Sequence, residues 1–320
     1  MTVHCFTVQH RISHADVDFL GELKLSALLG LLEQSAVEAS SDAGLDPAWY
    51  TRAGRFWLIR RTRLERWLAV GGGDVVAVET HVADWRRARS LRRYEVRLVA
   101  PGVGVRARPV EGDDRTTARL AGALVARATT DWVYCDIATG RPVSIPEDVR
   151  AAFSGDSGTG PLPRAAALPD RGEGEAVALP LAARVSQLDH VTHVNNAAYA
   201  GFLEDGAFEL FAARGLPLDR MLALGGALRP RSLDLEYLVD ALAGDELDVA
   251  SWVADGALDG SADAPPATTQ PVRLLQTITR RDGTRLVRAG SEWIWRRRPA
   301  ILGGVPEDEG PEPRDSRTAR

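Results

Sequence analysis

Apolar positions along the chain follow two periods. Leu25, Leu28, Leu29, Leu32 and Ala36 recur at three- and four-residue steps, which predicts a helix over Leu23 to Ala39 that ends near Gly44. A second apolar-periodic run, through Ala198, Phe202, Phe208, Leu210 and Phe211, predicts a helix from about Asn196 to Arg214, capped by the side chain of Asn195 or Asn196. Between and after them come strand-like runs. In the first half these are Phe6 to Ile12, Phe56 to Trp67, Asp74 to Asp84, Ser90 to Ala100 and Gly122 to Tyr134. In the second half they are Val177 to Val185, Leu228 to Val239, Glu246 to Ala254, Val272 to Arg280 and Leu286 to Arg296. Gly71-Gly72-Gly73-Asp74 and Thr139-Gly140-Arg141-Pro142 read as turns.

Each half is therefore one strand, one long helix, then several strands, and the halves repeat. An offset of 171 carries Asp18 to Asp189, Gly30 to Gly201, Leu32 to Leu203, Glu33 to Glu204, Glu65 to Glu236, Gly73 to Gly244 and Asp74 to Asp245. Later, Arg127-Ala128 and Trp132 recur as Arg288-Ala289 and Trp293 at an offset of 161. A helix with one apolar stripe laid on an antiparallel sheet is a two-layer α+β unit. The expected organisation is a first domain over residues 1–150, a linker over 151–175, a second domain over 176–298 and a disordered tail over 299–320. The linker and tail are rich in Gly and Pro and lack periodicity, as does a loop over Ala257 to Pro271.

The 320 residues carry a formal net charge of -5, which gives no reason to expect nucleic-acid binding. No segment approaches the apolar length needed to cross a bilayer, and the start of the chain has no apolar run of signal-peptide length. Cys5 and Cys135 form no spacing motif. These features point to a cytoplasmic protein with reduced thiols and no membrane partner.

The chemistry concentrates in Asp189-His190-Val191-Thr192-His193-Val194-Asn195-Asn196-Ala197-Ala198-Tyr199. An acid and an imidazole sit four residues apart, just ahead of a helix whose first turn presents spare N–H donors. A base, a water and an oxyanion site are what cleavage of an activated carbonyl needs. The first repeat keeps Asp18 but has Glu22, Lys24 and Leu25 where the second has His193, Asn195 and Asn196. The second half is thus the catalytic candidate. Glu204 and its counterpart Glu33 read as structural acids. Arg86, Arg87, Arg89, Arg92 and Arg93 read as a basic strand face that could dock an acidic carrier.

The same stretch resembles the D-x-x-x-H-V-N-N-x-x-Y pattern of hotdog-fold thioesterases, and of plant-type acyl-acyl carrier protein thioesterases in particular. The resemblance extends through Leu32-Glu33-Gln34-Ser35-Ala36, Trp57-Leu58-Ile59-Arg60-Arg61, Gly73-Asp74-Val75-Val76, Trp132-Val133 and Leu235-Glu236-Tyr237. It implies a tandem double hotdog, each half a long helix wrapped by an antiparallel sheet. It implies release of a fatty acid from acyl carrier protein, with Asp189, His193 and the later acid Asp240 as catalytic residues. The family's Asn is Val191 here, and the Cys of some members is Ala241, so Asn195 is the substitute amide. The expected mechanism uses Asp189 or Asp240 as base or nucleophile and His193 to orient it or shuttle a proton. Backbone N–H groups of Val194 to Asn196 would hold the oxyanion. No metal or organic cofactor is implied. The acyl chain is expected in the first half, between the Leu25 to Ala36 helix and the strand carrying Trp57 to Leu64. An acyl-CoA thioesterase and a non-catalytic acyl-binding protein are the alternatives. Chain length, carrier and oligomeric state, a homodimer included, stay open.

Overall fold

The computed structural model describes residues 4–102, 108–109, 121–153, 165–255 and 271–297. The first half runs β1 (Phe6–Arg11), α1 (Leu25–Asp42), α2 (Pro47–Ala53), β2 (Arg55–Arg66), β3 (Leu68–Ala69), β4 (Val75–Trp85), β5 (Arg89–Ala100), β6 (Arg108–Pro109), β7 (Leu124–Asp136) and α3 (Glu147–Ala152). The second runs β8 (Val177–Ala182), α4 (Ala198–Ala213), α5 (Leu218–Ala223), β9 (Gly226–Tyr237), β10 (Glu246–Asp255), β11 (Val272–Arg280) and β12 (Arg285–Arg297).

Among the described residues, ten strands form one antiparallel sheet in the order β1-β4-β5-β7-β2-β9-β12-β11-β10-β8. The order is that of two five-strand halves joined back to back at β2 and β9, the arrangement of a tandem double hotdog. At the seam Arg63 faces Asp234. These two residues are counterparts in the repeat, so the local two-fold passes between them. Arg61 closes the seam with two parallel bonds to Asp234, at 2.6 and 2.7 Å, the strong bidentate geometry of guanidinium and carboxylate.

Strand alternation decides which residues meet the helices. Leu64, Val76, Val78, Tyr94, Val96, Leu98 and Ala128 face inward and are buried with Leu25, Leu28, Leu29, Leu32 and Ala36 of α1. The same cluster continues into Tyr199, Phe202 and Leu203 of α4, so one core spans both repeats. Burying each of the leucines is worth about 1.5–3 kcal/mol. The residues expected to wall an acyl tunnel belong to this core. Among the described residues no helix is long and apolar enough to cross a membrane.

Three points differ from the sequence reading. First, α2, α3 and α5 were not anticipated; six or seven residues are too few to show a helical period, although Asp46 caps α2 by accepting from Trp49 N at 2.6 Å with Pro47 in the first turn. Second, α4 starts at Ala198, and neither Asn caps it. Asn195 instead accepts from Ala197 N at 2.8 Å and so closes the turn before the helix. Third, part of the expected linker is packed. Phe153 is buried, Ala166 O accepts from Arg61 at 2.7 Å, and Asp170 accepts from Arg288 at 2.7 Å. The linker's middle at 154–164, the loop at 256–270 and the tail at 299–320 lie outside the described residues.

Candidate active site

The repeat builds the same loop twice. In the second half Asp189 Oδ1 accepts from Val191 N at 2.9 Å and from His193 N at 3.2 Å. In the first, Asp18 Oδ1 accepts from Leu20 N at 2.7 Å and from Glu22 N at 3.0 Å. The turn needs a left-handed residue between them. Gly21 supplies it at φ 76°, whereas the second loop places Thr192 there at φ 68°. A β-branched residue in that region is strained by roughly 1–3 kcal/mol.

Of the sequence-predicted residues, His193 and Asp240 meet each other, and Asn195 meets a residue of the other repeat. His193 Nδ1 lies 3.3 Å from Asp240 Oδ2, both partly open to solvent. Arg280 fixes the Asp240 backbone through its carbonyl at 2.9 Å, and an antiparallel bridge joins His193 to Leu242. Asn195 Nδ2 reaches Glu33 Oε2 on α1 at 3.5 Å, a long hydrogen bond. Asp189 joins neither pair directly; one of its oxygens is committed to the loop. The oxyanion expectation needs correction. Val194 N donates to Ala241 O and Asn195 N to Gln187 O, at 2.9 and 2.8 Å, so both amides are already spent. Among the described residues, only the Asn196 amide of the three has no backbone partner. Two buried phenols hold this region: Tyr237 donates to Asn196 O at 3.0 Å, and Tyr199 accepts from Ala241 N at 2.9 Å.

Glu33 was read from sequence as structural, by analogy with Glu204. The structure separates the two. Glu204 forms an ion pair with Arg229, which is 1% exposed. Arg229 also lies 2.7 Å from Asp18 Oδ2. Its guanidinium sits over the Phe19 ring at 5.3 Å, Phe19 packs edge-on to Phe208 at 5.8 Å, and Leu20 is fully buried. The first-repeat loop is thereby neutralised and closed. At the same offset, Arg229 becomes Leu58, Phe19 becomes His190, Leu20 becomes Val191 and Phe208 becomes Val37. Val191 and Val37 are 45% and 40% exposed. Glu33 therefore lies beside the open loop with no cation paired to it among the described residues. Burial pushes its carboxyl above the ordinary glutamate range; the Asn195 hydrogen bond opposes this and the charge of Asp189 adds to it. The signal was present in the sequence, in the alignment of Leu58 with Arg229.

The basic cluster divides by strand alternation. Arg86 and Arg89 line a groove of about 480 Å³ with Arg60, Arg61 and Arg63 on the outer face of the sheet, remote from the loop. Arg92 points inward and is buried. Among the described residues, no cluster of three metal-ligating side chains occurs.

Residues 12–153 match the family model of the thioesterase-like superfamily. Solved structures extend the likeness to the whole chain. A protein described as an oleoyl thioesterase from Lactobacillus plantarum aligns with TM-score 0.69 at 18% identity, covering 93% of this chain and 98% of that one. An acyl-ACP thioesterase from Bacteroides thetaiotaomicron aligns with TM-score 0.65 at 16% identity, covering 91% and 98%. The 12:0-ACP thioesterase from Umbellularia californica aligns with TM-score 0.64 at 18% identity, covering 92% and 95%. At these identities the likeness establishes the double-hotdog fold. No curated protein sequence matches it.

Proposed function

We propose that the chain is a thioester hydrolase that releases a fatty acid from acyl carrier protein, at one site per chain. The observation that carries this reading is the asymmetry between Glu33 and Glu204: the same helical position is neutralised by Arg229 in one repeat and left in the other as a half-buried carboxylate beside the signature loop, with no cation paired to it among the described residues. Glu33 is the general base in this reading. Asn195 holds its carboxylate, and Asp189 shapes the loop while its charge keeps Glu33 basic. Glu33 takes a proton from water as the water oxygen bonds to the thioester carbonyl carbon. The oxyanion meets the free Asn196 amide. The C–S bond then breaks, and the proton taken up by Glu33 passes to the leaving thiolate by way of His193, whose Nδ1 faces Asp240. The products are a free acid and a thiol.

Unpaired Cys5 and Cys135 fit a reducing, cytoplasmic setting. The alternative of a non-catalytic acyl-binding protein draws on the exposure of the His193–Asp240 pair and on Val191 in place of an amide. The test is a hydrolysis screen over acyl chain lengths on both acyl carrier protein and CoA, with Glu33→Gln and Glu204→Gln alongside. Loss of turnover in Glu33→Gln alone supports the assignment. Ligand binding without hydrolysis on either carrier supports the non-catalytic reading.

A further inference from the structure

Arg92 is a buried cation that no ion pair among the described residues accounts for. It lies on β5 and is 6% exposed. Among the described residues its one hydrogen bond runs from Nη1 to Thr80 Oγ1, at 3.3 Å. The Thr80 hydroxyl is itself donated to Arg93 O at 2.9 Å. The guanidinium carbon stands 5.3 Å from the Phe153 ring centroid. The phenols of Tyr94 and Tyr50 bear on its charge, and the cation in turn bears on His81 of β4. Among the described residues no carboxylate pairs with it, and taking an unpaired charge out of water is costly.

The second repeat shows that the fold does not need this charge. Arg92 pairs with Thr130 between β5 and β7, and the matching pair between β11 and β12 is Leu274 with Ser291. Leu274 is buried in an apolar cluster with Leu210, Phe211 and Trp293. An arginine stands where packing alone is satisfied by leucine.

Its place relative to the candidate site is also defined. The Tyr50 hydroxyl lies 3.1 Å from Ser40 Oγ, near the C-terminal end of α1. Ser40 follows Glu33 by seven residues, about 10 Å along a helix. The cation thus sits toward one end of α1 and the candidate base near its middle. We infer that the acyl group of this protein's substrate ends in a second carboxylate, and that Arg92 pairs with it inside the first repeat. The inference rests on the thioesterase reading for the reacting end. At roughly 1.2 Å per bond of extended chain, the span corresponds to an acyl group of about eight carbons.

The test uses the full-length protein with suberoyl-CoA, carrying a free far carboxylate, against octanoyl-CoA, and with suberate against octanoate as non-reacting ligands. The wild type is expected to favour suberoyl-CoA in kcat/KM, and suberate to raise its melting temperature more than octanoate does. Arg92→Leu, which installs the residue of the second repeat, should lower the suberoyl-to-octanoyl ratio roughly a hundredfold, because deleting one partner of a buried charge pair leaves the other unpaired. Arg92→Lys should recover part of it. Equal handling of both substrates and both ligands by the wild type overturns the inference while hydrolysis itself keeps the thioesterase reading. A ratio unchanged in Arg92→Leu does the same. Suberate stabilisation that is lost in Arg92→Leu, without hydrolysis of either thioester, supports the anion site and overturns the thioesterase reading. If Arg92→Leu does not fold, the wild-type comparison decides.

Discussion

Glu33 and Glu204 occupy equivalent turns of the two long helices, but among the described residues only Glu204 has an arginine paired with it, the fully buried Arg229. One helical carboxylate is paired with a cation, and the other has none paired to it among the described residues. A pH dependence follows. The Glu33 carboxyl is raised in the folded protein, mainly by burial. A group raised on folding favours the folded state at pH below its unfolded value, about 4.3 for Glu. That contribution is lost as pH rises through the folded value. Glu33→Gln keeps the acceptor for Asn195 and removes the charge. It should therefore be more stable than wild type at neutral pH, with the difference shrinking as pH falls toward 4. Denaturant unfolding across that range checks this, and a Glu33→Gln protein less stable at pH 7 would contradict it.

Arg229 should behave in the opposite sense. Arg229→Leu copies Leu58 of the first repeat but leaves Asp18 and Glu204 buried without a counter-charge. Removing one side of a buried ionic cluster costs about 3–5 kcal/mol. A triple variant that adds Asp18→Asn and Glu204→Gln should regain much of that loss, because the three groups act as a unit. Chemical denaturation of the single and triple variants measures both effects. Additive losses would mean the groups are not coupled.

Most of the architecture was legible in the sequence because period and offset are global properties. The long helices and the strands of the ten-stranded sheet follow from alternation and the 171-residue repeat. The site was legible only in part. His193 and Asp240 lie on different elements and were paired through family resemblance, and they do meet, at 3.3 Å. Asn195 was expected to cap a helix, yet its carbonyl closes a turn and its amide reaches α1 of the other repeat. Such a contact across the pseudo-dyad has no local signature. Glu33 was read as structural, and what sets it apart from Glu204 is the residue opposite it, Leu58 in place of Arg229.

Thr192 stores strain that a glycine would release. At φ 68° it holds a conformation that the first repeat assigns to Gly21. Thr192→Gly should raise stability by about 1 kcal/mol, after part of the relief is offset by the greater freedom of glycine in the unfolded chain. The melting temperature checks this. A drop on substitution would mean that the Thr192 side chain makes contacts outweighing its backbone strain.

Asp189 separates loop shape from charge, and three variants resolve them. Asp189→Asn keeps an Oδ1 acceptor for Val191 N and His193 N, so the turn should survive. Asp189→Ala removes the acceptor and leaves both amides unpaired, which should displace His193 and Asn195 together. If Glu33 is the base, Asp189→Asn should lower kcat less than about tenfold, whereas Asp189→Ala and His193→Ala should each lower it roughly a hundredfold or more, the range typical of positioned acid–base groups. The charge of Asp189 raises the Glu33 carboxyl. Its removal should therefore move the acid limb of the kcat/KM profile to lower pH, because Glu33 then stays ionised further into acid. Asp18→Asn tests the other loop and should alter stability with little effect on turnover. A hundredfold loss in folded Asp189→Asn, with no movement of the acid limb, would transfer the role of base from Glu33 to Asp189.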